Sequence, residues 1–353
     1  MMGALAPTAG GEWPASQAAL AAGRALLSSA RSPVVVACDH DVDGLASAVL
    51  LERTLERLGA AVEIVPVTRG AHVHEAGYRA RLASRGAALY VVTDMGSRAE
   101  PIGLPAPTLV LDHHDADAFP PDAVVVSSAR REPVAPTSYL TYEVLQPLAD
   151  ITDLAWLALL GSVADLGAAA SFGALPGMRK QYRAKDIAET VALLNAARRS
   201  AEHDVEAALR ALRAARSPRE IATGSSPDVE RLRALRAEVQ AEVSRCARVP
   251  PRMHGEAAVI RIKSRAQVHP LVAVRWTSRL RDKVVLVANE GFLPGRVNFV
   301  VRSARGIDLL AWLRALDIGP VGPDYARGHP AATGGSLLPE EFERLLAALD
   351  RSR

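Results

Sequence analysis

The sequence predicts an α/β protein, a parallel-sheet domain joined by a helical linker to a smaller α/β domain. Three observations predict it. Val34–Cys38, Leu89–Thr93 and Thr108–Leu111 are short, largely β-branched apolar runs, the pattern of strands buried on both faces of a parallel sheet. Each run ends in acid or imidazole: Asp39, then Asp94, then Asp112 with His113 and His114. A second set of apolar runs begins after Val249-Pro250-Pro251, beyond a long Arg- and Ala-rich helical stretch.

The elements follow in order. The first 15 residues or so are small and Gly- and Pro-containing, and are expected to be loose. Ala15–Ser28 reads as an amphipathic helix and Val34–Cys38 as the first strand. Gly44–Leu58 reads as a helix, with Leu45, Val49, Leu50, Leu55 and Leu58 near helical spacing and Gly59 as its stop. Val62–Val67 is a second strand, and the two acid-tipped runs are the next two. Ala155–Asp165 reads as a buried helix whose final carboxylate is costly without a partner. From Asp186 to Ala247 the pattern is helical, broken at Ser217-Pro218 and at Gly224–Asp228, with its charges on solvated faces. Strands are expected near Ala257–Ile262, Val284–Ala288 and Val297–Val301, then a helix near Ile307–Leu316 and a Gly-rich tail, Arg327–Ser336. The boundaries drawn are 15–195, 196–250 for the linker, and 251–353. No internal repeat is evident.

The chemistry concentrates in Asp39-His40-Asp41-Val42-Asp43-Gly44. Side chains alternate along a strand, so the three carboxylates share one face if the chain stays near-extended. Carboxylates so crowded repel unless a cation lies between them, and oxygen donors suit Mg, Mn or Ca. An EF-hand loop opens in the same way. It needs a Glu at its twelfth position, where Leu50 stands, and a helix before it, where the Val-rich strand stands. A solvated acidic turn is the other alternative. Against it, three strands tipped with acid or imidazole imply one shared carboxyl edge, where α/β sheets bind ligands.

Composition sets outer bounds. The chain has 353 residues, enough for two domains. No apolar run approaches a membrane span, and the N-terminus lacks a basic region followed by an apolar one, so no membrane partner and no signal peptide are expected. Cys38 and Cys246 are the only cysteines, which argues against a disulfide framework or a Cys-based zinc site and fits the cytoplasm. A net charge of +3 gives weak support for an anionic partner.

Asp39-x-Asp41-x-Asp43-Gly44, Asp94-x-Gly96, Asp112-His113-His114 and Gly161-Ser162-Val163-Ala164-Asp165 resemble, in order, the four motifs of the DHH phosphoesterases. The C-terminal part resembles their DHHA1 domain. Val297–Ser303 looks like its strand ending in Arg-Ser, and Gly328-His329-Pro330-Ala331-Ala332-Thr333-Gly334-Gly335 looks like its Gly-Gly-His motif. The likeness covers nearly everything from Val34 onward. Arg327 stands where that motif's first Gly is usual, and bears on how closely backbone approaches a phosphate. The first motif begins with Asp39, as in RecJ-like nucleases, which leans toward nucleic-acid diesters and away from pyrophosphate.

The resemblance implies two Mn²⁺ ions, with Mg²⁺ as the substitute. Asp39, Asp41 and Asp94 would hold one, and Asp43, Asp94, His113 and Asp165 the other, with Asp94 bridging. Asp112 would orient the histidines and His114 would face the substrate phosphate, while Arg302, Gly328 and His329 would grip a phosphate from the second domain. His40, between ligands on the opposite strand face, reads as a core or supporting residue more than a catalytic one. Two ions about 3.5–4 Å apart activate a water for in-line attack and clamp the leaving oxygen. The expected function is release of mononucleotides from short single-stranded oligonucleotides or from linear or cyclic dinucleotides. A RecJ-like exonuclease on single-stranded DNA is the alternative, then a pyrophosphatase-type hydrolase, then a non-enzymatic nucleotide-binding regulator. The intact ligand set argues against the regulator. The chain ends soon after the Gly-His motif and lacks aromatic platforms for stacking bases, which favours short substrates. A homodimer is left open.

Overall fold

The computed structural model describes residues 13–116, 118–322, 324–329 and 331–351, with the backbone alone described over 327–329. They form two compact units. The first holds the chain up to Arg198 together with Asp204–Leu232, and the second holds Arg199–His203 and the chain from Arg233 onward.

The first unit begins with α1 (Gln17–Ser28), β1 (Val34–Cys38), α2 (Val42–Arg57), β2 (Val62–Pro66), α3 (Ala76–Ala83), β3 (Leu89–Thr93), β4 (Thr108–Asp112) and β5 (Val124–Ser127). The five strands make one sheet, all parallel, in the order β2-β1-β3-β4-β5. Every residue of β1, β3 and β4 is buried, as their unbroken apolar character requires when both faces are covered. On one face Val35, Ala37, Tyr90, Val92 and Val110 cluster with Tyr78 and Leu82 of α3. The helices α4 (Thr137–Leu145) and α5 (Ala155–Leu166) pack with α2, which itself packs on β1 and β2. Trp156, Leu45, Leu50 and Leu51 are fully buried there. Burying each such side chain is worth about 2 kcal/mol, which holds these helices together.

The stretch expected to be a helical linker contributes to both units. After α6 (Leu175–Lys180) and α7 (Ala184–Arg199) come α8 (Val205–Ala214), α9 (Pro218–Thr223) and α10 (Pro227–Cys246). Helices α8 and α9 belong to the first unit, and α10 is divided between the two at Leu232. Side-chain chemistry ties α8 to α2. Arg213 pairs with the buried Glu52, and Arg53 donates to the carbonyls of Leu212, Arg213 and Ala215. Ser217-Pro218 and Ser226-Pro227, read as breaks, are helix starts, since proline fits the first turn of a helix.

The second unit continues with β6 (Arg252–His254), β7 (Ala257–Ile262), α11 (His269–Arg279), β8 (Val284–Asn289), β9 (Val297–Ser303), α12 (Leu309–Arg314), β10 (Arg327–His329), β11 (Ala332–Leu337) and α13 (Pro339–Arg351). Its six strands lie in the order β10-β11-β9-β8-β7-β6, with only the β7–β8 pair parallel. The Gly-rich tail is the β10–β11 hairpin, in which β10 pairs with β11 and β11 pairs with β9 along its length. Among the described residues no helix is long and apolar enough to cross a membrane.

Two expectations change. The chain does not stay extended from Asp39 to Asp43: β1 stops at Cys38 and α2 starts at Val42, with Asp41 as its N-cap. Strand β5 and helix α4 are not foreseen in the sequence. The α4 sequence, Thr-Ser-Tyr-Leu-Thr-Tyr-Glu-Val-Leu, is rich in β-branched and aromatic residues that form isolated helices poorly, and burial of nearly every position overrides that preference.

Candidate metal centre

The strand order assembles the centre. β1 lies between β2 and β3, so the chain departs to one side of β1 and later continues on the other. At such a reversal an open parallel sheet leaves a crevice at its carboxyl ends. β1 and β3 end level, with Cys38 beside Thr93, and the Asp39 N–H donates to Thr93 O at 3.1 Å. Asp39 and Asp94, the residues that follow, therefore emerge side by side.

Each carboxylate is held by its own local structure. Asp41 Oδ1 accepts from the N–H groups of Asp43 (2.9 Å) and Gly44 (3.1 Å), capping α2. Gly44 has to be glycine because a Cβ there would stand 2.7 Å from Asp39 O. Asp43, in the first turn of α2, is buried, and both its oxygens face the start of α4. Oδ2 accepts from Thr137 N at 2.7 Å and Oδ1 from Ser138 N at 3.0 Å. Asp94 has φ 65°, a left-handed conformation that a non-glycine residue adopts at a cost of about 1–3 kcal/mol. Its Oδ1 accepts from Thr137 Oγ1 at 2.8 Å and lies 3.3 Å from His113 Nε2. His113 Nδ1 is 3.7 Å from Asp165 Oδ2, at the end of α5. Asp112, fully buried at the end of β4, accepts from the N–H groups of His113 (2.9 Å) and His114 (3.4 Å). It also pairs with His114 Nδ1 at 2.9 Å, and Ser97 Oγ donates to its other oxygen at 3.3 Å. His40 Nδ1 lies 3.5 Å from Asp39 Oδ1, beside the cluster.

The electrostatics express this crowding. Burial, then the charges of Asp43 and Asp41, drive the Asp94 carboxyl well above the ordinary carboxylate range. Asp43 is pushed up to about 6, chiefly by burial and further by Asp165 and Asp41, against the opposing pull of His113. Burial also works on Asp41, but Arg198 and the Gly44 N–H hold it below its usual value. Arg198 Nη2 is 4.0 Å from Asp41 Oδ2, and its Nε donates to Asn195 Oδ1. For His114, burial is outweighed by the hydrogen bond to Asp112 and by the charges of Asp112 and Asp94, which lift it to about 9.

Among the described residues, two groups of three candidate ligand atoms lie within 4.8 Å of one another: Asp39, Asp41, Asp94, and Asp94, His113, His114. Asp94 belongs to both. This mixture of hard carboxylate oxygens and imidazole, with one carboxyl raised by burial and its neighbours' charge, fits divalent cations of the Mn and Mg type. Asp43 and Asp165 stand just outside the two groups, one turned to α4 and the other against His113. His114, read as facing substrate, enters the second group.

Sequence reasoning missed Thr137, Ser138, Ser97 and Arg198. Helix α4 starts after Pro136 with no side-chain cap, so its start carries little local signal. Arg198 sits near the end of α7 with no local sign of its surroundings. In the second unit, Arg302 Nε is buried without a hydrogen-bond partner among the described residues. Arg302 lines a pocket of about 280 Å³ with Arg281, Thr277, Ser278 and Ser303. The pairing register puts His329 opposite Ala332 and Ala332 opposite Arg302, one row across three strands. The side chains of Arg327, Gly328 and His329 lie outside the described residues.

Comparison with known proteins places this geometry. Residues 33–170 match the profile of the DHH family, N-terminal domain. No functionally curated protein matches the sequence. The fold is similar to RecJ from Thermus thermophilus in complex with Mn²⁺, at TM-score 0.67 and 23% identity over 95% of this chain; the chain spans 55% of the length of that one. It is similar to a structure of exonuclease RecJ bound to manganese, again at TM-score 0.67 and 23% identity, over 95% of each chain. It is also similar to the DHH domain of a protein assigned to a family of ribosomal proteins, at TM-score 0.68 and 17% identity over 95% of this chain and 89% of that one. The segment 33–170, which holds every carboxylate and imidazole of the centre, belongs to the DHH family.

Proposed function

We propose that this chain is a Mn²⁺-dependent phosphodiesterase that hydrolyses short single-stranded oligonucleotides and linear or cyclic dinucleotides to mononucleotides. The observation that carries the reading is Asp94, shared by two groups of ligand atoms at the switch point of the sheet. Asp39, Asp41 and Asp94 would hold one ion. Asp94 and His113, with Asp43 and Asp165 around them, would hold the second. The ions would supply Lewis acidity toward the phosphate and toward a water.

The chain's own residues do the rest. Asp112 fixes the His114 ring through Nδ1, so that a proton on Nε2 can pass to a phosphate or leaving oxygen. The hydrogen bond to Asp112 favours the protonated ring. Arg198 adds positive charge beside Asp41, where an anionic substrate meets the cluster. In the second unit, Arg302 and Arg281 would take a second phosphate, since guanidinium pairs with it through two hydrogen bonds. A pocket of about 280 Å³ suits one nucleotide end. Buried free thiols at Cys38 and Cys246 fit a cytoplasmic setting for this activity.

The fold likeness to RecJ favours one second reading, an exonuclease on long single-stranded DNA. Assaying mononucleotide release from a dinucleotide, a long single strand and, in parallel, phosphate release from pyrophosphate separates the readings. Preference for the dinucleotide with Mn²⁺ supports the first. Preference for the long strand installs the second, and cleavage of pyrophosphate alone defeats both.

A further inference from the structure

We propose that Thr137 is the positioning residue that couples the two halves of the metal centre, a role that rests on the metal reading above. It is not itself a candidate ligand, yet its backbone and its side chain engage two different carboxylates of the cluster. Its N–H donates to Asp43 Oδ2 at 2.7 Å and its hydroxyl donates to Asp94 Oδ1 at 2.8 Å. Both hydrogen bonds are buried, and Thr137 and the following Ser138 are fully buried themselves. Ser138 N completes the grip on Asp43, so α4 meets that carboxylate with two consecutive amides.

The consequence is geometric. A carboxylate in a crowded buried site can rotate, and its free lone pairs decide which cations it can bridge. Asp94 leaves β3 in a left-handed conformation, so its direction is set by backbone, and the Thr137 hydroxyl then fixes its rotation. Because Thr137 is attached to both, Asp43 and Asp94 hold a fixed separation, and with it the spacing between two ions that share Asp94. Thr137 touches neither substrate nor the reacting atoms; it acts through the carboxylates.

The test uses Mn²⁺ alone as the probe on the full chain. Thr137→Val keeps the shape of the side chain and the Asp43 amide bond but removes the hydroxyl, and Thr137→Ser restores it. Wild type and Thr137→Ser are expected to show the electron paramagnetic resonance signature of an exchange-coupled Mn²⁺ pair. Thr137→Val is expected to lose the coupled signal and about ten- to hundredfold in affinity for the second ion, the usual effect of removing a group that orients a ligand. A metal-free melting curve close to wild type separates this from simple destabilisation, and Thr137→Ala carries the same comparison if the Val variant fails to fold. A coupled pair retained in the variants, with affinity within about twofold, overturns this role and leaves the metal reading standing. A wild-type chain that binds no Mn²⁺ overturns both.

Discussion

Gly161 of α5 lies directly against the Asp43 carboxylate: a Cβ on Gly161 would overlap both Asp43 Oδ1 and Ser138 Oγ. The contact explains why a glycine interrupts an otherwise bulky buried helix, where it costs helix stability. Gly161→Ala should push Asp43 off the α4 amides. The expected outcome is a loss of about 1–3 kcal/mol from overpacking and at least about tenfold in kcat. Thermal melts and Mn²⁺-supported turnover check it; an unchanged kcat would mean that the precise seat of Asp43 does not matter.

Asp94→Ala and Asp43→Ala should abolish turnover. Removing a ligand from a two-ion centre costs several kcal/mol of transition-state stabilisation, on the order of a thousandfold in rate. Activity of a chelated sample should return with Mn²⁺ and not with Ca²⁺, whose larger coordination shell fits the imidazole-containing group poorly. Either variant turning over near the wild-type rate in Mn²⁺ would refute the assignment of that carboxylate.

The raised carboxyls make metal binding depend on pH in a defined direction. Asp43 is lifted to about 6 in the metal-free chain, so the folded state holds its proton more tightly than the unfolded chain does. That contribution to stability is complete below the unfolded carboxylate range and is lost as pH rises through about 6. Asp94, raised in the same direction, extends the loss upward. Mn²⁺ displaces these protons, so its affinity, and the rise in Tm it causes, should increase from about pH 5 to about pH 7.5, with protons released on binding. Calorimetry in buffers of different ionisation enthalpy measures the release directly. A pH-independent affinity would show that neither carboxyl is protonated in the metal-free chain.

Arg302→Ala and His329→Ala should raise KM for diesters more than they lower kcat. They would hold a phosphate away from the reacting one, and such contacts are made equally in ground and transition states. Arg281→Ala should behave in the same way, since Arg281 lines the same pocket as Arg302. Steady-state kinetics on a dinucleotide decide it: a collapsed kcat with an unchanged KM would move these residues into the chemical step.

Substrate length is the remaining discriminator. Affinity for long strands comes from many phosphate contacts and stacked bases. Among the described residues the large, well-exposed apolar side chains include one aromatic, Phe119. Efficiency should peak at about two to five nucleotides, with a salt dependence corresponding to about one to three phosphates. A steady rise in kcat/KM out to long strands, with a steep salt slope, would favour the exonuclease reading.

Much of this is legible in the residues themselves. β1, β3 and β4 announce themselves because strands buried on both faces carry unbroken apolar runs, and the acids that tip them advertise the carboxyl edge. The turn at Asp41 is harder, since an Asp-x-Asp alternation reads equally as strand or as helix cap until Gly44 is seen pressed against Asp39 O. The supports of the centre are the least legible. Thr137 and Arg198 reach Asp94 and Asp41 from segments far away in sequence, and their residue types are ordinary in helices. The β10–β11 hairpin is hidden because glycine-rich sequence favours loops, and it is the pairing of β11 with β9 that holds it extended.

The spread of the centre along the chain, from Asp39 to Asp165, has a kinetic meaning. Its donors come from the ends of β1, β3 and β4, from the start of α2 and from α5, and non-local parallel pairings of this kind are slow to form. No short stretch of the unfolded chain presents the set, so an ion cannot nucleate the domain. It would meet its ligands only once the sheet is complete, and the binding energy would then be added to the native state alone. A bound metal would therefore act as a latch: it would leave the folding rate to topology and retard unfolding, placing the gain in the lifetime of the native state.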